Sequence, residues 1–419
     1  MHIPFRSLAV SNPSPADGPL VTSNSETLTV LHLASVYSTS GTVLSGAKAG
    51  YSPTGGVQVH MGALVRQLDR RGVAQVVLTS YKPGSDREQV QGERIVVRRF
   101  GIPVRRWRQM WAVPAACAAV AESKSADLIH VHPSADLAAL PIALSVARFR
   151  RVPLVVTLHS SALHTMRAVS PRLSFLKAAG TPAEVIALRS ADAIITLTDR
   201  TRDLVIGTGA DPQRVHTVPQ PYDQESFQGP FSDPFPKIPR PRIVFVGRFS
   251  PEKGVPVLVE ALSRLRSPAH LLLIGDGRGR SGVQKAIDRF GLGERVTISG
   301  FVPHPTVASA LANADVVALP SLFEEAGTVL VEAMALGIPV VASDTGGIRN
   351  VTGDGNCGLL VPPGDPAAMA SALDRVLGDA GLADQLSSAG RLRCFRQDWD
   401  STGDRILDIY RCVVRASHH

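Results

Sequence analysis

Two short runs in the second half of the chain set charged groups beside glycine where a strand gives way to a helix. The first is Ser321-Leu322-Phe323-Glu324-Glu325-Ala326-Gly327-Thr328-Val329-Leu330-Val331-Glu332-Ala333-Met334-Ala335. It follows the apolar run Val316–Leu319, which reads as a buried strand. Thr328 onward reads as a helix that Gly337 and Pro339 bring to an end. Gly327 allows close approach of backbone to a ligand, and the first helical amides, at Thr328 and Val329, lack internal partners. A diphosphate could dock there. Glu324 precedes the helix and Glu332 lies about one turn in, so two carboxylates can address opposite ends of one ligand. Carboxylates accept well from paired sugar hydroxyls. The second run is Gly247-Arg248-Phe249-Ser250-Pro251-Glu252-Lys253-Gly254, just after the strand Arg242–Val246. Arg248 as a planar fork and Lys253 as a point charge suit a diphosphate.

The first half offers weaker signals. Gly55-Gly56 open a helix and permit close backbone approach to phosphate or sugar. The pair is neither GxGxxG nor a GxxxxGK[ST] loop, so neither a dinucleotide fingerprint nor a Walker ATPase is supported. His130 and His132 alternate on one strand and face the same way. A zinc site would want a third and fourth ligand at short reach; none is evident in the sequence, and no metal is expected. His159 ends the strand Leu154–His159, with His164 beyond it. A strand's carboxyl end is where ligands bind, so His159 is expected to touch substrate.

The elements that must position these groups alternate regularly. Leu28–Val36, Ala74–Ser80, Leu128–Val131, Leu154–His159 and Ala193–Leu197 are short and rich in Val, Ile and Leu. Val59, Ala63, Leu64 and Leu68 recur at helical spacing between the first two. The second half repeats the rhythm with strands at Arg242–Val246, Leu271–Ile274, Val296–Ser299, Val316–Leu319 and Pro339–Ala342, and a helix near Pro256. Both halves read as doubly wound α/β units. Five prolines between Gly229 and Pro241 mark a hinge or linker between them. A cleft between two such units is the expected site.

Composition narrows the class. Over 419 residues, 44% are hydrophobic and 19% charged, which excludes a largely disordered chain. The four cysteines form no CxxC pair, which fits a reducing cytoplasm. No run approaches the ~18–20 apolar residues needed to span a bilayer. Residues 1–27 contain no apolar signal core and read as a flexible leader, so a soluble cytoplasmic protein is expected. The net charge of +8 lies entirely in residues 1–225. Its densest stretch runs from Arg94 through Arg98, Arg99, Arg105, Arg106 and Arg108, beside Trp107 and Trp111. That stretch reads as a solvated face, with a membrane surface or an acidic acceptor as alternatives. No helix-turn-helix, RRM or zinc-finger signature supports nucleic acid.

Together these residues resemble the retaining GT-B glycosyltransferases of family 4. The matching motifs are GGV at Gly55–Val57, DLIHVH at Asp127–His132, VVTLH at Val155–His159 and ADAIITLT at Ala191–Thr198. VFVGRFSPEKG at Val244–Gly254, LLLIGDG at Leu271–Gly277, GFVP at Gly300–Pro303 and ADVVALPS at Ala314–Ser321 continue the series. Glu324 to Glu332 matches the family's E-x7-E element, and LLVPPGDP closes the run at Leu359–Pro366. The resemblance implies a GT-B fold. Residues 28–228 would bind the acceptor, 229–241 link, 242–400 bind the nucleotide sugar, and a helix in 401–419 cross back to the first unit.

By position, the resemblance makes Arg248 and Lys253 diphosphate ligands and Glu332 the ribose ligand. Glu324, with the backbone of Ala326 to Val329, would hold the donor sugar and phosphate. Gly56 and Gly275 would allow close approach, and the loop at Val302 would pack the nucleobase. His159 would lie near the reacting carbon, with Gly55 and His132 toward the acceptor. The implied reaction moves a hexose or N-acetylhexosamine from a UDP-sugar, with retention and without metal or cofactor. The acceptor would be a small cyclitol, since the glycine loop resembles those of aminocyclitol and inositol-phosphate transferases. A peripheral membrane glycolipid or polysaccharide transferase, and a non-catalytic sugar-nucleotide binder, are the alternatives. Two departures stand out. Gln220-Pro221-Tyr222 replaces the family's NGV, and Arg349-Asn350 replaces PE.

Overall fold

The computed structural model describes residues 27–37, 56–81, 85–102, 110–133, 138–159, 161, 163, 171–222, 227, 229–395 and 398–417. Eight strands build the first sheet: β1 (Thr29–Ala34), β2 (Ala74–Ser80), β3 (Glu88–Gln91), β4 (Ile95–Phe100), β5 (Leu128–His132), β6 (Leu154–Leu158), β7 (Ala193–Thr196) and β8 (Val215–Thr217). Their order is β3-β4-β2-β1-β5-β6-β7-β8, parallel throughout except for the β3–β4 edge. β5 and β6 are buried at every residue, as strands covered by helices on both faces must be. Between the strands run α1 (Gly56–Arg70), α2 (Ala112–Glu122), α3 (Ala139–Arg150), α4 (Pro171–Ser190) and α5 (Asp199–Gly207).

The second sheet has six parallel strands: β9 (Arg242–Val246), β10 (His270–Ile274), β11 (Val296–Gly300), β12 (Val316–Leu319), β13 (Val340–Ser343) and β14 (Leu359–Val361). Their order is β11-β10-β9-β12-β13-β14. Its helices are α6 (Val255–Arg264), α7 (Arg280–Arg289), α8 (His304–Ala312), α9 (Thr328–Ala335), α10 (Ile348–Val351), α11 (Pro366–Gly378) and α12 (Ala380–Phe395). Each sheet reverses direction around its first strand, β1 or β9, and such a switch point opens a crevice at the carboxyl ends.

One sequence device aligns the strands. The Ala-Asp pairs ahead of β5, β7 and β12 each place a carboxylate on the neighbouring strand's first amide. Asp127 accepts from Thr29 N at 2.7 Å, Asp192 from Leu154 N at 2.8 Å and Asp315 from Arg242 N at 2.6 Å. These groups satisfy donors the ladder leaves open and set the register of adjacent strands.

The last helix, α13 (Trp399–Ser417), returns to the first unit. Trp399, Ile406, Leu407, Tyr410 and Val413 pack with Leu64, Leu68, Val30, Leu128 and Ile195. Arg71 at the end of α1 donates to Asp404 at 2.7 Å and to the Asp400 carbonyl at 2.6 Å. Tyr410 reaches through to His130 Nδ1 at 2.5 Å.

Two expectations differ from the structure. The proline-rich segment is no free hinge: Phe231, Phe235 and Ile238 pack on the second core, and Asp233 pairs with the buried Arg242 at 3.0 Å. The Arg94–Trp111 stretch is in part the strand β4. Arg98 pairs with Glu88 and Glu122, Arg99 is buried against Gln89 and the Asp86 carbonyl, and Trp111 has no exposed surface. Trp111 therefore anchors nothing outside the fold. Arg105, Arg106, Trp107 and Arg108 lie outside the described residues.

Removing the Tyr410 hydroxyl leaves His130 Nδ1 buried and unpaired. Tyr410→Phe should lower unfolding stability by about 1–3 kcal/mol in urea titration. Tyr410→Ala should cost more, about 3–5 kcal/mol, because it also empties a fully buried ring site.

Candidate active site

The loops at the carboxyl ends of β9, β10 and β12 are stacked backbone on backbone. A single 3-10 turn at Pro251–Lys253 ends in Gly254 at φ 60°. A Cβ there would lie 2.2 Å from the carbonyl oxygen of Pro320. Leu322 N donates to the Glu252 carbonyl at 2.8 Å, tying the β9 loop to the β12 loop. Lys253 Nζ consequently reaches the Glu324 carboxylate, which also accepts from Ser321 Oγ at 3.2 Å. Arg248 is exposed, and no carboxylate among the described residues pairs with it. Gly275 supports this loop from beneath: at φ 138°, its Cβ would lie 1.9 Å from the Gly247 carbonyl oxygen.

Gly327 caps the start of α9, in the left-handed region at φ 53°. The amides of Thr328 and Val329 are the first of that helix, at its positive end. Glu332 is buried one turn later and accepts from His304 Nε2 at 3.2 Å. His304 opens α8, just after Val302, which packs at the edge of the second core. The two carboxylates of the E-x7-E element are thus fixed by different partners. Glu324 takes a lysine and a serine; Glu332 takes a histidine.

The two units touch beside this site. Thr198 caps α5, and the hydroxyls of Thr198 and Thr201 donate to Glu325, the former at 3.4 Å. Arg200 lies 3.5 Å from the same carboxylate. Burial raises the Glu325 carboxyl above its ordinary range, with Arg200 and Thr198 pulling against it. Asn350 donates to Asp199 at 3.1 Å.

On the first unit, β1, β5 and β6 gather imidazoles. His32 stands beside His130 in the parallel register. His32 Nδ1 lies 3.3 Å from His132 Nε2, and His132 Nδ1 lies 3.4 Å from His159 Nε2. His130 is held by Tyr410 and by Thr157 at 2.7 Å. His60, from α1, sets its ring edge-on to His159 at 4.8 Å. Burial depresses all five. His32, despite a hydrogen bond from its ring to Gln75, and His159 are lowered to about 4; His60, His130 and His132 fall well below 6.5, with neighbouring histidines adding to burial.

His132 was expected to face the acceptor; instead it is wholly buried behind His159, because helices cover that face of β5. His132 is the last residue of β5 and His159 follows the last residue of β6, so both stand at strand ends, with only His159 retaining some exposed surface. Gly56 is the first residue of α1; Gly55 and His164 lie outside the described residues. Sequence reading missed His32, His304, Ser321 and Glu325. His32 becomes visible only with the β1–β5 register. His304 adjoins the GFVP motif and was signalled by that proximity alone. One ring nitrogen from each of His32, His130 and His132 lies within 4.8 Å of the others, a triad with metal-ligand spacing that the sequence did not reveal.

Residues 232–393 match the family described as Glycosyl transferases group 1, and residues 54–226 match Glycosyltransferase Family 4. The chain is 34% identical to a 2-deoxystreptamine N-acetyl-D-glucosaminyltransferase of Streptomyces fradiae, over 88% of this chain and 94% of that enzyme. It is 30% identical to a D-inositol 3-phosphate glycosyltransferase of Xylanimonas cellulosilytica, over 86% of this chain and 92% of that enzyme. The sucrose-phosphate synthase of Thermosynechococcus elongatus has the same architecture, with a TM-score of 0.77 at 23% identity, covering 93% of this chain and 100% of that one.

The buried imidazoles set an acid limit. The unfolded chain binds protons below 6.5 that the folded cluster refuses, so stability is complete above 6.5 and falls as pH drops toward about 4. Thermal melting across that range should show a steep decline, shallower in His32→Asn. Asn350→Glu would set a carboxylate against Asp199. It should raise the KM for substrates held between the units several-fold, and added salt should partly restore it.

Proposed function

Since the chain belongs to the GT-B glycosyltransferases of family 4, we propose that it moves a hexose or N-acetylhexosamine from a UDP-sugar to a small aminocyclitol, retaining the anomeric configuration. The observation that carries this is the pairing of Lys253 with Glu324 across the tied β9 and β12 loops, just ahead of the first amides of α9. Similarity to the Streptomyces fradiae enzyme, named for 2-deoxystreptamine, supports the acceptor class.

In this reading Arg248, Lys253 and the amides of Thr328 and Val329 take up the charge that develops on the departing diphosphate. Glu332, aimed by His304, holds the paired ribose hydroxyls. Glu324, fixed by Lys253 and Ser321, faces the donor sugar. The departing phosphate oxygen takes the acceptor proton on the same face, so neither carboxylate serves as nucleophile or acid as in a glycosidase. A second reading has an inositol phosphate as acceptor. It is supported by the excess positive charge of the first half and by the likeness to the inositol-phosphate enzyme.

Purified protein should release UDP when given UDP-sugars with 2-deoxystreptamine, and mass spectrometry should find the glycoside. Turnover with inositol phosphate instead would transfer the assignment to the second reading. Lys253→Ala should lower kcat/KM by roughly 10²–10³-fold. Glu332→Ala should act mainly through donor KM, since it removes a contact made equally in ground and transition states. UDP-sugar binding by calorimetry without any turnover would overturn the catalytic reading.

A further inference from the structure

The hydrogen bonds behind His159 run in one direction only. Gln75 Nε2 donates to the Val65 carbonyl at 2.8 Å, which turns Gln75 Oε1 toward His32 Nε2 at 3.2 Å. Flipping the amide would set two oxygens against each other at Val65, so Oε1 stays where it is and His32 Nε2 must carry the proton. A neutral imidazole then has a bare Nδ1. The 3.3 Å contact to His132 is a hydrogen bond only if His132 Nε2 donates. His132 Nδ1 is bare in turn, and His159 Nε2 must donate across 3.4 Å. His159 is left with a lone pair on Nδ1, which has no partner among the described residues.

We propose that Gln75, His32 and His132 act as positioning residues that lock His159 in its Nε2–H tautomer. Its remaining nitrogen then accepts a hydrogen bond from a hydroxyl of the transferred sugar or the acceptor and cannot donate to a phosphate or carbonyl oxygen. The assignment rests on the proposed transferase reading and names what one of its residues selects. The relay is blind at its inner end, because beyond Gln75 stands only a backbone carbonyl. It therefore fixes a proton and does not conduct one. His130 lies outside the relay, with both nitrogens taken by the hydroxyls of Tyr410 and Thr157. A divalent ion bound by His32, His130 and His132 would consume the lone pairs these hydrogen bonds use and release His159 from its register.

Nitrogen NMR of the full chain labelled with ¹⁵N-histidine reads the tautomer directly, independent of turnover. His159, assigned by loss of its signals in His159→Gln, should show Nε2 protonated and Nδ1 bare. Gln75→Met should populate both tautomers and lower kcat/KM about tenfold, a loss typical of outer-shell partners. Gln75→Glu, which keeps an oxygen toward His32 and in its protonated form can donate to Val65, should restore both readings. Donors and acceptors each lacking one hydroxyl identify the partner: wild type should discriminate against one of them, and Gln75→Met should lose that discrimination. A protonated Nδ1 on wild-type His159, an unchanged tautomer in Gln75→Met, or one equivalent of metal lost in His32→Asn would overturn the lock. The wild-type spectrum decides even if Gln75→Met does not fold. Absence of turnover with a bare Nδ1 would overturn the transferase reading and leave the lock standing.

Discussion

The site depends on how closely four loops, after β9, β10, β12 and β13, can approach. At Gly254 the place of a side chain is taken by the Pro320 carbonyl, at Gly275 by that of Gly247, and at Gly346 by that of Glu324. Positive φ at all three makes glycine the residue without strain. This stacking, more than the ion pair it brings together, fixes Lys253 against Glu324. A lysine–carboxylate pair with both side chains partly exposed contributes about 1 kcal/mol or less. The backbone contacts across these four loops do not depend on that pair and leave its charges free to be redirected toward a ligand.

The contact between the two units explains one of the chain's departures from its family. Where the family carries Glu after its paired glycines, this chain has Asn350, and Asn350 donates to Asp199 on the other unit. A glutamate there would face a carboxylate. Glu325 reaches the same helix end, where Thr198 and Thr201 meet it. An acidic group beside the positive end of α5 is favoured. Asp199 and Glu325 already supply two carboxylates there, and Asn350 adds a neutral donor. The other departure, at Gln220-Pro221-Tyr222, places a buried Gln220 at the cleft between the units and sets Tyr222 edge-on to Phe227.

Much of the fold was legible because parallel strands buried on both faces leave a simple trace. Ala74–Ser80, Arg242–Val246 and Val316–Leu319 run as the apolar runs indicate. β3, β4, β8 and β14 were not read. The edge strands β3, β8 and β14 are short or mixed in polarity, and β4 is interleaved with arginines whose partners come from other elements. The loops of the second unit were legible because their chemistry is contiguous: Arg248 and Lys253 share one loop, Glu324 and Glu332 one loop and helix. The histidine cluster was not, since its members come from three strands and a helix. Residue type and spacing along a strand showed that His130 and His132 face one way. They could not show that His32 stands alongside or that α13 closes the face.

The distribution of charge bears on what the first unit presents. The half with all the excess positive charge lines its strand ends with imidazoles that burial keeps uncharged, while Arg248 and Lys253 come from the half with no net charge. Several arginines of the first unit are spent on structure. Arg71 ties α13, Arg98 and Arg99 brace β3 and β4, and Arg200 faces Glu325. The net charge of the half is therefore a weak guide to its ligand. A neutral His159 offering a lone pair meets a hydroxyl or an ammonium without repulsion, whereas a phosphate oxygen would find no proton there.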